Sequence, residues 1–275
     1  MILAHVQAGW EAPPPVLAGC LIALGLFAQA FWRLRRRGRS DHAGWGRAGL
    51  FALAVGLTYL ALASPLDGIG DGYLLSAHML QHMLIGDLAP ALGLVAIRGP
   101  LTFFLLPAPL LSRLAGLRTL RAFLHWLTGP FVAVPLWIAA MWAWHVPRIY
   151  DYAAEHQTVH DLEHLSFVVV GLLVWNLLVD PARGARLSLA GRIGVAVSVF
   201  AAGDPVMAGL ISSGPSYPHY VGQPDRLLGL SPRADQIAAG TVMLVEQILT
   251  LGTCCAILLW PQLKRTPLRD EPVQL

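Results

Sequence analysis

Charge is scarce in this sequence. Asp, Glu, Lys and Arg make up 13% of its 275 residues, about half the share of a soluble domain, while 56% are hydrophobic and the mean hydropathy is +0.59. That balance excludes an ordinary soluble domain. Cysteine is nearly absent too: Cys20, Cys254 and Cys255 form no C-x-x-C pair, and adjacent cysteines rarely bridge each other, so neither a disulfide framework nor a zinc ribbon is indicated. They read as buried apolar thiols. Met1–Pro15 has no Lys or Arg ahead of the first apolar run and so lacks the basic start of a cleavable signal peptide; the first span is expected to stay. With no long linker or low-complexity tract, residues 1–275 read as one bundle.

Crossing a bilayer takes about 20 apolar residues, and seven stretches qualify: about 16–32, 46–64, 73–97, 129–146, 157–178, 191–211 and 236–260. Leu101–Leu111 is too short and is broken by Pro107 and Pro109. The expected fold is all-α, a polytopic seven-transmembrane-helix bundle. Orientation follows from Lys and Arg, which gather on the cytoplasmic side. Of 19 basic residues, 16 lie in the links after spans one, three and five and in the C-terminal tail, whereas only Arg148, Arg226 and Arg233 lie opposite. The N-terminus is therefore expected outside and the C-terminus in the cytoplasm. The pI near 9.0 is this topology signal and not a nucleic-acid footprint. The basic, proline-interrupted stretch from Arg98 to Thr128 is expected to lie along the inner membrane surface.

Against this apolar background the histidines stand out. His156, His160 and His164 are spaced four apart in E-H-Q-T-V-H-D-L-E-H, and His78 and His82 repeat the spacing in span three. On a helix each step of four turns the side chain by only about 40°, so each set shares a face, and a histidine pair at i, i+4 is a recurrent metal-binding device. The topology, derived without reference to histidine, puts His78, His82, His145, His160, Glu163, His164 and Asp235 in the outer third of the bundle. Ionisable groups inside spans by default mark sites, and imidazole with carboxylate suits copper, zinc or iron. Asp235 or Gln236 could orient an imidazole N–H. The competing interpretation is that these histidines bond one another and loop carbonyls. His5, His42, His125 and His219 are isolated and expected to be solvated; Met79 and Met83 are turned about 100° from the histidines and expected to pack in the core. Asp87, Asp204 and Glu246 could line a polar interior path, and Pro90 should kink span three.

Two other classes stay open. His160-Asp-Leu-Glu-His164 fits H-x-x-E-H, in which two histidines bind zinc and the glutamate is a base. Histidines from facing spans could alternatively hold haem axially.

Span three, H-M-L-Q-H-M-L-I-G-D-L-A-P, the turn W-H-V-P-R-I-Y-D-Y-A, the segment V-H-D-L-E-H-L-S-F and the opening D-Q-I-A-A-G of span seven together resemble the caa-type cytochrome c oxidase assembly factor family, CtaG, over roughly residues 45–262. The resemblance implies a multi-pass protein of the bacterial cytoplasmic membrane, surrounded by lipid, that assists maturation of a haem-copper oxidase. It further implies copper handling, with copper passed to an oxidase subunit and received from a donor chaperone, and no required catalysis. It marks His78, Gln81, His82, His145, His160, Glu163, His164, Asp235 and Gln236. Where family members often continue the D-Q-x-x-A-G segment with Met-Trp, this chain reads Thr241-Val242-Met243-Leu244-Val245-Glu246.

Overall fold

A computed structural model describes residues 9–11, 13–223 and 227–264; His5, Arg226, Arg265 and Arg269 lie outside them. No strand occurs among the described residues. The first two helices, α1 (Pro14–Arg36) and α2 (Trp45–Ala63), are long and apolar, and a short α3 (Pro65–Gly72) follows. Ser64 caps α3 by accepting from Leu66 N, with Pro65 at its first position, where a missing N–H costs nothing.

The third span is not one regular helix. It runs as α4 (Leu75–Met83), a wider π-type turn over Leu84–Leu88, and α5 (Ala89–Ile97). Pro90 would clash with the carbonyl four residues back, and the wider turn, in which Ala89 N–H reaches Leu84 O, removes that conflict. Where Pro90 predicts a kink, the structure has this turn. Its Gly86 packs against Phe167 and Gly171 of the fifth span, and a methyl group at Gly171 would overlap the Gly86 carbonyl. Two glycines thus allow spans three and five to touch backbone to backbone.

Three short helices, α6 (Pro100–Phe104), α7 (Ala108–Gly116) and α8 (Arg118–Leu127), replace a span in the basic stretch; α7 and α8 bury no residue completely. The fourth span, α9 (Pro130–Trp144), has 15 residues, about 22 Å, short of the roughly 30 Å hydrocarbon core. It reaches spanning length only together with α8, across a 59° bend. After α10 (Pro147–Glu155) come α11 (Gln157–Val179), α12 (Leu189–Ser212), a single turn α13 (Pro218–Val221) and α14 (Pro232–Leu263). Among the described residues, six helices or helix runs are thus long and apolar enough to cross a membrane, or seven with the bent α8–α9 pair. The chain is a multi-pass membrane protein.

The α4–α5 run and α11 are the most buried of the spans, α1, α2 and α14 among the least. A core of Met79, Met83, Trp137, Val174, Met207 and Met243 joins α4, α9, α11, α12 and α14, so Met79 and Met83 do pack inside, while α1 and α2 pack on a second cluster around Phe27, Phe31 and Leu34. All three cysteines are free. Alternating helix directions collect the links after α1, α5 and α11 at one end, tied by Arg47 to Ala96 O and Arg98 O and by Gly99 N to Pro181 O. This is the arginine end. The opposite end carries α3, α10, α13 and the starts of α4, α11 and α14.

Candidate metal centre

Four imidazoles meet between α4 and α11. Ring centroids of His78 and His82 are 4.2 Å apart, as are those of His160 and His164, and across the helices His78 lies 5.2 Å from His160 and His82 lies 5.2 Å from His164. The Gly86–Gly171 contact one or two turns below draws the two faces this close. Glu163 joins from α11, its Oε1 3.7 Å from His82 Nε2. His78, His82, His160, Glu163 and His164 are each at most 7% exposed.

What marks these groups is that seven unspent polar atoms converge on one place. Both nitrogens of His78 and of His82, Nε2 of His160 and His164, and Oε1 of Glu163 are buried without a hydrogen-bond partner. Buried polar groups are rarely left so, and each exception calls for an explanation. Two three-ligand sets lie within reach, His78/His160/His164 and His78/His82/Glu163, with donor atoms of each set within 4.8 Å of one another. Bonds of about 2.0 Å would require drawing them inward by about 1 Å. His78 belongs to both sets.

Asp71, on α3, is an addition that histidine spacing does not reveal. Its Oδ1 lies 3.2 Å from His160 Nε2 and 3.7 Å from His78 Nδ1, unaligned for a hydrogen bond, and its side chain is 38% exposed. It links a buried cluster to solvent. The available signal was P-L-D-G-I-G-D-G, a second i, i+4 acidic pair beside the first histidine pair.

The remaining expected residues are placed differently. His145 anchors Nδ1 on Met141 O at 2.7 Å and leaves Nε2 buried and unpartnered; Phe167 lies between it and the cluster, with ring centroids 6.4 Å from His145 and 4.5 Å from His82. Gln81 donates to Ala61 O at 2.9 Å and to Asp67, fixing α3 to α4. Asp235 does not meet an imidazole: its carboxylate accepts from Leu75 N at 2.7 Å, Ser76 N at 3.1 Å and Ser76 Oγ at 2.5 Å. It caps α4 from another helix and so holds the turn that carries His78. Gln236 is also elsewhere, joining Ser216 N, Leu210 O and Gly214 O. His156 leaves its shared face because α10 ends there; it is exposed and stacks on Tyr152. Extended backbone at His156 (φ −131°) breaks the helical spacing on which the triple depended.

A roof of tyrosines closes the cluster. Tyr220 donates to Gly70 O at 2.7 Å and meets Tyr150 OH at 2.6 Å, while Tyr217 donates to His145 O at 3.1 Å. Burial, then the neighbouring Tyr220 phenol and the Glu163 carboxylate, pushes Tyr150 above the ordinary phenol value; burial does the same for Tyr220, opposed by its hydrogen bond with Tyr150 and aided by Asp71, Asp235 and Glu163, so both remain hydroxyl donors. His219, far from solvated, bonds Asp71 O at 2.7 Å. Burial, followed by the Asp71 charge, raises Asp67 to about 7, opposed by the Gln81 hydrogen bond.

The polar path divides. Asp87 receives Trp175 Nε1 and, at 3.4 Å, Thr250 Oγ1, with Glu246 beside it. Asp204 is exposed on α12 and takes no part.

No curated protein and no solved structure matches the chain. A family model described as cytochrome c oxidase caa3 assembly factor matches residues 25–265, from within α1 to beyond α14. Spanning nearly the whole bundle and every residue of the imidazole cluster, that match places the chain in the cytochrome c oxidase caa3 assembly factor family, Caa3_CtaG.

Proposed function

We propose that this protein binds copper in the α4–α11 cluster and delivers it to a copper-receiving subunit of cytochrome c oxidase. One observation carries the proposal: seven buried ligand atoms on five residues have no hydrogen-bond partner, and they fall into two three-ligand sets sharing His78. Satisfied interfacial histidines would not show this. The copper is cargo. Asp71 meets the ion at the solvent side, His78/His160/His164 take it first, and exchange about His78 moves it toward His82 and Glu163. Family membership supports the oxidase as partner; a donor chaperone upstream completes the route.

The basic links at the arginine end support placing that end, with the C-terminus, in the cytoplasm and the N-terminus and cluster outside, in a bacterial cytoplasmic membrane crossed seven times. A reporter after Leu275 should then be cytoplasmic and one in the α12–α14 loop external.

The hydrolase alternative is weaker, because Glu163, which would have to act as the base on a peptide, is 1% exposed. Haem is disfavoured by ring-to-ring packing of the imidazoles, which leaves no slot for a macrocycle. The assembly role is tested by deleting the gene: assembled, copper-loaded oxidase should fall while transcription of its subunits is unchanged. Normal oxidase activity and copper content in the deletion strain would overturn the role.

A further inference from the structure

At the arginine end, a cavity of about 450 Å³ opens between three links, lined by Arg39, His42, Gly99, Phe103, Phe104 and Arg183 among others. Its volume falls within the range of small-molecule sites, about 300–1,000 Å³. Among the described residues, no acidic side chain lines it. The neighbouring Asp180 is committed to Arg192 at 2.9 Å and to the Gly184 and Ala185 N–H groups, and Asp41 is beside His42 at 3.1 Å. Positive charge therefore exceeds negative charge around the opening.

Three further features make this a shaped site and not a solvated charge run. The guanidinium of Arg98, next to Gly99, has Nε buried without a partner; burial, then the charges of Arg183 and Arg192, pulls it below its ordinary value. Arg33 and Arg37 lie over the Phe104 ring at 5.2 and 5.1 Å, adding cations behind the wall. Most informative is the α11–α12 loop, where Asp180, Arg183 and Ala185 all have positive φ (49°, 54°, 49°), a conformation that is unfavourable for non-glycine residues and persists where the surroundings impose it. Gly99 N and Thr102 Oγ1 hold this loop through Pro181 O at 2.6 and 3.3 Å. The strained backbone sets the Arg183 guanidinium over Gly99, where any side chain would meet it.

We propose that this cavity binds the phosphodiester headgroup of an anionic phospholipid, with Arg39 and Arg183 on the phosphate and the exposed Phe103 ring along the acyl chains. Guanidinium forks match phosphate oxygens in pairs, basic pockets between spans at the cytoplasmic side suit acidic headgroups, and Phe103 is 53% exposed. The copper reading is not needed. The proposed topology only chooses the leaflet, so a reporter that reversed it would leave lipid binding intact and the two failures would be distinct.

The test is native mass spectrometry of the full chain, delipidated in detergent and offered phosphatidylglycerol, phosphatidylcholine or inorganic phosphate. One phosphatidylglycerol should be retained about tenfold better than phosphatidylcholine, whose choline cation is repelled by the surplus arginine charge, and should resist displacement by equimolar phosphate, which has no acyl chain to lie along the exposed Phe103 ring. Arg39→Gln/Arg183→Gly should reduce its retention to the phosphatidylcholine level; glycine at 183 keeps the positive φ without strain. If that variant fails to fold, photoactivatable phosphatidylglycerol on the wild type should label residues 99–104. Equal retention by the folded variant, no preference over phosphatidylcholine, displacement by phosphate alone (a free-anion site), or labelling elsewhere would each overturn the proposal.

Discussion

The imidazole cluster and the Asp235–Gln236 pair lie at the same end of the bundle and look alike as intramembrane polar residues, yet they differ in what their atoms do. Asp235 gives both oxygens to the first turn of α4, and Gln236 uses its carbonyl and amide on the α12–α14 loop. Six of the eight imidazole nitrogens of the cluster, equally buried, are left over. A polar group that is satisfied within the fold is holding the fold, whereas a set of converging unsatisfied donor atoms is available to a ligand. The contrast can be broken or sharpened by substitution.

The largest effect is expected from His82→Ala/His160→Ala, which removes a ligand from each set. Stoichiometric metal binding should be lost while the folded, monodisperse protein persists, as read by metal analysis and circular dichroism. Undiminished metal occupancy would return these histidines to interfacial packing.

Next comes Gly171→Ala. The added methyl group overlaps the Gly86 carbonyl, so spans three and five must separate, and overpacking of this kind typically costs about 1–3 kcal/mol. A lower thermal midpoint together with weakened metal binding is expected. An unchanged midpoint would show that the two backbones do not touch.

Asp235→Asn should have a smaller effect, because it acts through α4 and not on the metal. Asn keeps one of the two acceptor oxygens but removes the negative charge from the α4 N-terminus, a change worth up to about 2 kcal/mol at a buried helix end, and affinity should fall about tenfold as His78 loosens, within the range for indirect partners of a metal site. Gln236→Ala should leave metal affinity unchanged. If Gln236→Ala and Asp235→Asn weaken affinity alike, the distinction between them is wrong.

The smallest effect concerns pH. Asp67 is raised to about 7, so between about pH 4 and 7 the folded protein binds more protons than the unfolded chain and stability falls as pH rises. Part of this is screened, since Asp67 is not fully enclosed. Thermal midpoints of Asp67→Asn should decline less across that window than those of the wild type; parallel curves would remove Asp67 as the cause.

Much of this was legible in the sequence because membrane spans and helical periodicity are strong local signals. Each histidine pair at i, i+4 shares one helix face as its spacing implied, and six of the seven apolar runs became helices or helix runs long enough to span among the described residues, the fourth reaching that length only with α8. Local rules failed where the answer depends on a distant partner. His156 keeps the spacing of its neighbours, but a helix boundary supervenes; Asp235 reads as a helix-starting acid on α14 and instead caps α4, 160 residues away. Asp71 needs α3 to fold back over α4 before it nears an imidazole. The π-type turn is written in Pro90 only as a conflict, and the close approach of its Gly86 to Gly171 in another span is not visible locally.

The central claim is that the unspent imidazoles are a metal site organised around His78. The most direct measurement is an anaerobic Cu(I) titration, against a competing chelator, of protein purified without a histidine tag. The wild type should retain at least one equivalent per chain, and His78→Ala, which removes the ligand shared by both sets, should retain none while remaining folded. Copper retained equally by the two proteins, or by neither, would contradict the account.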